Sequence, residues 1–310
     1  MYNEAPNIPP LLHRLRSVTD KLVDYQFEFI FTDNASEDNT FALLYEESQK
    51  DSRIKLIRFA RNFGFQKSIM SNYLASKGDA VIQIDADLQD PPELIGQFLD
   101  KWKDGYKVVY GIRRNRQEGA FTTIIRKLGY IGIDKLSEVP VPRNAGDFRL
   151  LDRDVIESLT QLNDQTPYLR GLVAYLGYNH IGIPYNRDAR IAGKSKFGLF
   201  KLISLGIDGV CSQSTKLLRL ITIFGVLLSV VVTISAIGYI ALFFLNDQSA
   251  NRGFTTLALL SLLSIAINSV FLGVIGEYVG RTFNNTRSLP MVVYDHEVHE
   301  KDTVFKGTSK

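Results

Sequence analysis

Cysteine is nearly missing from this chain. Among 310 residues there is one, Cys211, which excludes an intramolecular disulfide framework and a cysteine-rich zinc site. A lone thiol suits a reducing compartment, so the catalytic part is expected to face the cytosol. An excess of one charge is missing too: 36 basic and 33 acidic side chains leave a formal net charge of +3, too small for a global nucleic-acid-binding surface. The phosphate loops Gly-x-Gly-x-x-Gly and Gly-x-x-x-x-Gly-Lys-Ser/Thr do not occur, which argues against dinucleotide-dependent and P-loop enzymes. His296-Glu297-Val298-His299-Glu300 lacks the His-Glu-x-x-His spacing of a zinc site and sits in a polar tail. Apolar residues are plentiful, at 45% against 22% charged, enough for a packed core and too many for disorder.

Charge is absent from two long stretches. Leu220 to Leu245 is 26 residues and Phe254 to Gly276 is 23, joined by the eight-residue link Asn246 to Gly253. At about 1.5 Å per helical residue they reach roughly 39 and 34 Å, against about 30 Å of bilayer hydrocarbon. Both read as membrane spans, because a soluble core helix seldom stays uncharged on every face for so long. Lys216 and Arg219 precede the first and Arg281 and Arg287 follow the second, so the positive-inside rule keeps both ends cytoplasmic. No signal peptide opens the chain, and insertion is expected to rely on these late runs. Just ahead of them, Phe197 to Gln213 carries only Lys201 and Asp208 as charges, the pattern of an amphipathic helix lying in the interface.

Before this region the chain reads as an α/β domain. Strands are expected over Phe27–Thr32, Ile54–Phe59, Ala80–Ile84 and Lys107–Tyr110. Between them lie helices on the Ile8–Leu22 stripe, over Thr40–Ser48, over Gln66–Ser76, and from Pro91-Pro92 to about Trp102. Such alternation favours a parallel sheet whose ligands gather at the carboxyl ends of the strands. Acids stand at two of those ends: Asp33 with Glu37 and Asp38, and Asp85, Asp87 and Asp90. Asp85 and Asp87 with Gln89 present hard oxygens in a small volume, which suits Mg²⁺ or Mn²⁺ shared with phosphate oxygens. The alternative is solvated turn acids and helix caps, since Asp38 precedes Thr40 and Asp90 precedes Pro91.

Five motifs occur in order: Tyr2-Asn3-Glu4, Thr32 to Thr40, Arg61-Asn62-Phe63-Gly64, Asp85-Ala-Asp-Leu-Gln-Asp-Pro-Pro-Glu93, and Gly146-Asp-Phe-Arg-Leu150. Together with the apolar pair they resemble the family-2, inverting glycosyltransferases of the polyprenyl-phosphate type, close to the bacterial bactoprenol glucosyltransferases and more distantly to dolichol-phosphate mannose synthase. The resemblance runs to about residue 290. It implies a GT-A fold with a largely parallel sheet over 1–190, and a juxtamembrane loop and interfacial helix over 191–219. Spans at 220–245 and 254–276 and a cytosolic tail over 277–310 complete the expected chain. The implied reaction moves a single sugar from a nucleotide sugar to membrane polyprenyl phosphate with inversion. The glucosyl branch points to UDP-glucose, with UDP-N-acetylglucosamine, UDP-galactose or GDP-mannose as alternatives.

The matching positions imply roles. Tyr2, Glu4, Asp33 and Asp38 look like nucleoside contacts, Asp85 borders nucleotide and metal, and Asp87 with Gln89 holds the cation. Arg190, Gly193, Ser195 and Lys196 match a segment near the phosphates. The acceptor phosphate, with a second pKa near about 6, is already a nucleophile at neutral pH. Asp147 and Arg149 therefore read as positioning groups, Arg149 as a clamp on that phosphate; were Asp147 a base, Asp147→Asn would lower the rate by about a hundredfold or more. Arg113, Arg114, Arg116, Arg126 and Lys127 are read either as a surface for anionic headgroups or as solvated loop charges. The Gln-x-x-Arg-Trp signature of processive synthases is absent, since the one tryptophan is Trp102. A non-catalytic, truncated membrane homologue that binds lipid phosphate is the rival from another class. Relatives begin with a strand before Tyr-Asn-Glu, whereas Met1 here adjoins Tyr2. That predicts unpaired neighbours in the sheet and an unanchored Tyr2 and Glu4, from a start site assigned too late or a truncated gene model, the alternative being a genuine degenerate copy. Gly225, Gly238, Gly273 and Gly276 permit close helix packing, from which a homo-oligomer is expected. The tail from about Met291 is expected to be disordered. The setting implied is the bacterial cytoplasmic membrane.

Overall fold

Pro9 and Pro10 open a stretch whose apolar residues recur every three or four positions, and it forms α1 (Ile8–Thr19), burying Ile8, Leu11, Leu12 and Leu15. The computed structural model describes residues 1–114, 145–162, 164–165, 167–187, 216–245, 253–287, 289–299 and 303–305. After α1 come β1 (Phe29–Asp33), α2 (Thr40–Lys50), β2 (Ile54–Phe59), α3 (Phe65–Ala75), β3 (Ala80–Gln83), α4 (Ile95–Lys103) and β4 (Val108–Arg113). The next described elements are β5 (Ala145–Asp152), α5 (Arg153–Thr160), α6 (Leu169–Tyr175) and β6 (His180–Tyr185). Two long helices, α7 (Lys216–Leu245) and α8 (Phe254–Thr286), precede β7 (Tyr294–His299) and β8 (Thr303–Phe305).

The strands form two four-stranded sheets, ordered β1-β2-β7-β8 and β3-β5-β4-β6. β1–β2 and β4–β6 are parallel pairs. β5 runs antiparallel between β3 and β4, so β3, β4 and β6 all point one way. Their carboxyl ends meet the start of β5 along one edge. Alternation along β5 sends Phe148 and Leu150 into a cluster with Phe98, Val109, Ile183 and Tyr185. Leu151 goes to the opposite face, where Val155, Ile156, Leu172 and Tyr73 pack. The second sheet is thus covered on both faces, which fixes β5 firmly enough to carry charged side chains inside.

Two expectations are corrected here. Among the described residues, 291–299 and 303–305 are ordered where a disordered tail was expected. β7 pairs antiparallel with β2, and Val292 is 4% exposed in a cluster with Ile57 and Phe59. Lys67 Nζ donates to the Met291 carbonyl at 3.3 Å, and the Ser71 and Tyr294 hydroxyls meet at 3.2 Å. The pairing runs through backbone groups, which need no apolar pattern in the strand. Nor are Tyr2 and Glu4 unanchored. The Met1 ammonium donates to the Thr32 carbonyl at 2.5 Å, Asn3 N to Ser36 Oγ at 3.0 Å, Glu4 N to Thr40 Oγ1 at 2.9 Å and Ala5 N to Asp38 Oδ2 at 3.2 Å. The loop after β1 does the holding.

α7 and α8 are long and apolar enough to cross a bilayer. Leu220, Val231, Leu257 and Val270 are each more than half exposed on them, the opposite of a soluble core helix. Phe224 and Phe271 meet edge to face, 6.0 Å between centroids. The expected interfacial helix lies outside the described residues.

Replacing Val292 by Asp puts an unpaired charge into the cluster that closes β7 onto β2, and is expected to destabilise the full chain by roughly 3 kcal/mol. Denaturant unfolding in detergent would measure it; a wild-type midpoint would show that β7 is not part of the folded unit.

Candidate active site

Two loops at strand ends hold their shape through backbone that side chains resist. Ala35, after β1, has φ 58°, and Leu88, after β3, has φ 58°, a left-handed conformation that is unusual for a bulky residue. Leu88 is fully buried, so core packing retains the bend between Asp87 and Gln89.

The first loop gathers four of the expected nucleoside residues. Asp33 is fully buried; its Oδ1 accepts from Ser36 N at 3.1 Å, and Arg58 Nε stands 3.5 Å from Oδ2. Asp38 accepts from Thr40 N at 3.0 Å and Thr40 Oγ1 at 2.5 Å. Burial opposes its ionisation, but these bonds and the one from Ala5 outweigh it and hold the carboxyl below its usual range. Asp38 therefore tethers the first residue of α2 without being its cap, since Asn39 occupies the cap position. Tyr2 Oη donates to Glu37 at 3.4 Å, and Glu4 accepts from Asn7 Nδ2 at 2.5 Å. The buried Met1 ammonium feels Asp33, Glu4 and Asp85 together, which places the first loop beside the second.

The second loop is crowded with acid. Burial pushes Asp85 up to about 7, and the charges of Asp147, Asp90 and Asp87 add to that against Arg113. Asp87 Oδ1 accepts from Gln89 N at 3.2 Å. Among the described residues no three His, Cys, Asp or Glu side chains converge as a metal site. The hard oxygens of Asp85, Asp87 and Gln89 nevertheless suit a Mg²⁺ or Mn²⁺ that keeps waters or phosphate oxygens. The accumulated negative charge around Asp85 would be relieved by such an ion.

Asp90 turns out to be no cap. It is fully buried and accepts from Tyr185 Oη at 2.5 Å, with Arg113 Nη2 at 3.4 Å and Arg187 Nε at 3.3 Å. Arg187 also reaches Asp87, at 3.9 Å. One carboxylate thus ties the ends of β4 and β6 to the acid loop. Arg113 is committed inward, which removes it from the expected headgroup surface; Arg116, Arg126 and Lys127 lie outside the described residues. Gly111 makes room for this hub, because a Cβ there would stand 2.6 Å from the Tyr185 ring.

Register places Arg149 opposite both Gln83 and Tyr110, on the face of β5 that also carries Asp147. Asp147 is 6% exposed. It accepts from Arg149 Nη2 at 3.2 Å and from Arg170 at 2.8 and 2.6 Å. Burial opposes its ionisation, but the bonds and charge of Arg170, with Arg149 and Arg113, hold its carboxyl below the usual range. Arg149 Nε is buried without a hydrogen-bond partner.

The sequence reading missed Arg170, Arg187 and Tyr185. A lone arginine in the short apolar helix Leu-Arg-Gly-Leu-Val-Ala-Tyr was the available signal for Arg170. Arg190, Gly193, Ser195 and Lys196 lie outside the described residues.

The family model Glycosyl transferase family 2 matches residues 1–160. The chain is similar to the glycosyltransferase YkcC of Bacillus subtilis, 36% identical over 94% of this chain and 90% of that one. It is 31% identical to a prophage bactoprenol glucosyl transferase homolog of Escherichia coli, over 94% of this chain and 95% of that one. To the bactoprenol glucosyl transferase of Shigella phage SfX it is 30% identical, over 94% and 95%.

Tyr185→Phe removes the hydroxyl that Asp90 holds most closely and is expected to destabilise the fold by about 1–3 kcal/mol. Urea titration of the variant checks this, and an unchanged midpoint would show that the two arginines alone satisfy Asp90.

Proposed function

This chain belongs to glycosyl transferase family 2 and has its GT-A fold, and from that premise we propose that it transfers one sugar from a nucleotide sugar, UDP-glucose first, to membrane polyprenyl phosphate with inversion. The observation that carries the reading is the meeting, at one sheet edge, of the Asp85–Asp90 acid loop with the Asp147–Arg149–Arg170 cluster. It supplies a place for a departing diphosphate beside a place for an attacking phosphate. Two long apolar helices in the same chain support a lipid acceptor, as does its similarity to bactoprenol glucosyl transferases.

The bond changes are simple. An oxygen of the acceptor phosphate forms a bond to the anomeric carbon from the face opposite the leaving group, and the bond from that carbon to the nucleoside diphosphate oxygen breaks, its electron pair leaving with the diphosphate. No proton needs to be removed, because the acceptor is largely a dianion at neutral pH. A divalent cation held by Asp85, Asp87 and Gln89 would stabilise the charge developing on the diphosphate. Arg187, beside Asp87, is placed to add a fixed positive charge to the same region, and preorganised charge of that kind favours the transition state over the ground state. Tyr2, Glu4 and the first loop frame the nucleoside end.

α7 and α8 are then two spans of the bacterial cytoplasmic membrane. Lys216 and Arg219 at the start of one and Arg281 and Arg287 at the close of the other put their outer ends on the cytosolic side with the catalytic domain.

Membranes containing the chain, given polyprenyl phosphate, labelled UDP- or GDP-sugars and Mg²⁺ or Mn²⁺, are expected to pass label from one donor into an organic-extractable lipid. Chelator should abolish transfer, and Asp87→Ala should lower it by about a hundredfold or more. Transfer that ignores both treatments would remove the cation from the reaction, and silence with every donor would favour a non-catalytic lipid-binding protein.

A further inference from the structure

A strand that follows both apolar helices brings one of its side chains to the loop between β1 and α2. β7 pairs with β2 so that His296 stands directly opposite Arg58, and residues paired across an antiparallel ladder share one face of the sheet. Phe41, in the first turn of α2, lies against both. The Arg58 guanidinium carbon is 4.5 Å from the Phe41 ring centroid, and the His296 ring is 5.8 Å from it. His296 is itself steadied by Asp295, whose Oδ2 lies 2.9 Å from Nδ1.

Arg58 grips that loop at three points. Its Nε stands 3.5 Å from Oδ2 of the fully buried Asp33, its Nη2 donates to the Ser36 carbonyl at 3.4 Å, and its guanidinium lies over Phe41. A planar guanidinium makes such contacts together, whereas a compact ammonium does not. The loop needs a grip of this kind, because Ala35, between the first two points, has φ 58°, a conformation that a residue with a Cβ keeps only where its surroundings hold it. Ser36 passes the constraint on. Its Oγ accepts from Asn3 N at 3.0 Å, and the neighbouring Glu37 N donates to Asn3 Oδ1 at 2.9 Å. Through Ser36, then, Arg58 bears on the Tyr2-Asn3-Glu4 segment as well as on the loop.

Resting on the reading above that Tyr2, Glu4 and this loop frame the donor's nucleoside, we propose that Arg58 is the positioning residue of the nucleoside end, with Phe41 and His296 of β7 keeping its guanidinium on the loop. Nucleotide affinity then depends on a strand that follows α8 as well as on the loop after β1. Arg58 and His296 belong to the sheet β1-β2-β7-β8, whereas Asp147 and Arg149 belong to the other sheet. The clamp therefore bears on the donor and leaves the acceptor phosphate alone. A loop already held in its binding shape spares the nucleotide the cost of ordering it.

The test uses the full chain in detergent. Equilibrium binding of UDP and of GDP is measured beside that of a fluorescent polyprenyl monophosphate, and amide hydrogen exchange is followed in the ligand-free chain. Arg58→Gln is expected to weaken whichever nucleotide the wild type binds by about tenfold, with lipid-phosphate affinity within about twofold of wild type. Exchange should quicken in the loop between β1 and α2 and stay unchanged in β4 and β5. Arg58→Lys, which keeps the charge without the fork, should remain about threefold or more below wild type, and His296→Ala should cost about threefold. Wild-type nucleotide affinity in Arg58→Gln would overturn the proposal, and so would an equal loss for nucleotide and lipid phosphate, which would make Arg58 a support of the whole fold. Full recovery by Arg58→Lys would overturn the three-point grip, and an unchanged affinity in His296→Ala would remove β7 from it. If the wild type binds neither nucleotide, the donor reading fails and the exchange decides the clamp by itself: quickened in the loop by Arg58→Gln it stands, unchanged it falls.

Discussion

Four carboxylates, Asp85, Asp87, Asp90 and Asp147, crowd the edge where β3, β4 and β6 end and β5 begins, and like charges so close repel one another unless cations stand among them. The surrounding architecture supplies them. Arg113 comes from the end of β4, Arg187 from just beyond β6, Arg149 from inside β5 and Arg170 from α6. Each arginine is presented by a different element, so the two cores on either face of the sheet must both be in place before the charges balance. Stability of the domain and readiness of the site are one electrostatic condition.

The antiparallel strand is what makes this condition possible. If β5 ran with its neighbours, Asp147 and Arg149 would lie at the far end of the sheet from Asp85. Running against them, it brings its first residues to their last. The acids of the Asp85–Asp90 loop and the arginines paired with Asp147 therefore come from one continuous surface.

How much of this was legible in the sequence follows from what each segment buries. β1, β2, β3 and β4 announced themselves as apolar runs, and α1, α3 and α4 through their stripes and opening prolines, because those elements bury hydrocarbon. β5 was readable as a motif but not as a strand: Asp147 and Arg149 point inward and balance each other, and no hydropathy pattern records a buried ion pair. β6 contains Gly182 and Pro184, which argue against a strand until Ile183 and Tyr185 are seen in the core. The polar segment Tyr-Asp-His-Glu-Val-His paired through its backbone and so looked like tail. In the site, Asp85 and Asp87 were legible because a strand end and a two-residue spacing place them together. Asp38 proved to be a tether for α2. Arg170 and Arg187 were not legible, because they reach Asp147 and the acid loop, respectively, only through tertiary folding.

The return of the chain to form β7 also imposes an order on its birth. β2 is complete at Phe59, yet the strand that covers its open edge begins at Tyr294, after both long apolar helices. At a synthesis rate of about 5–20 residues per second, that edge waits roughly 10 to 50 seconds for its partner. An exposed strand edge is a template for wrong pairing. The nascent domain must therefore be shielded through that interval, and closure of its sheet becomes a late event, coming only after α7 and α8 have left the ribosome.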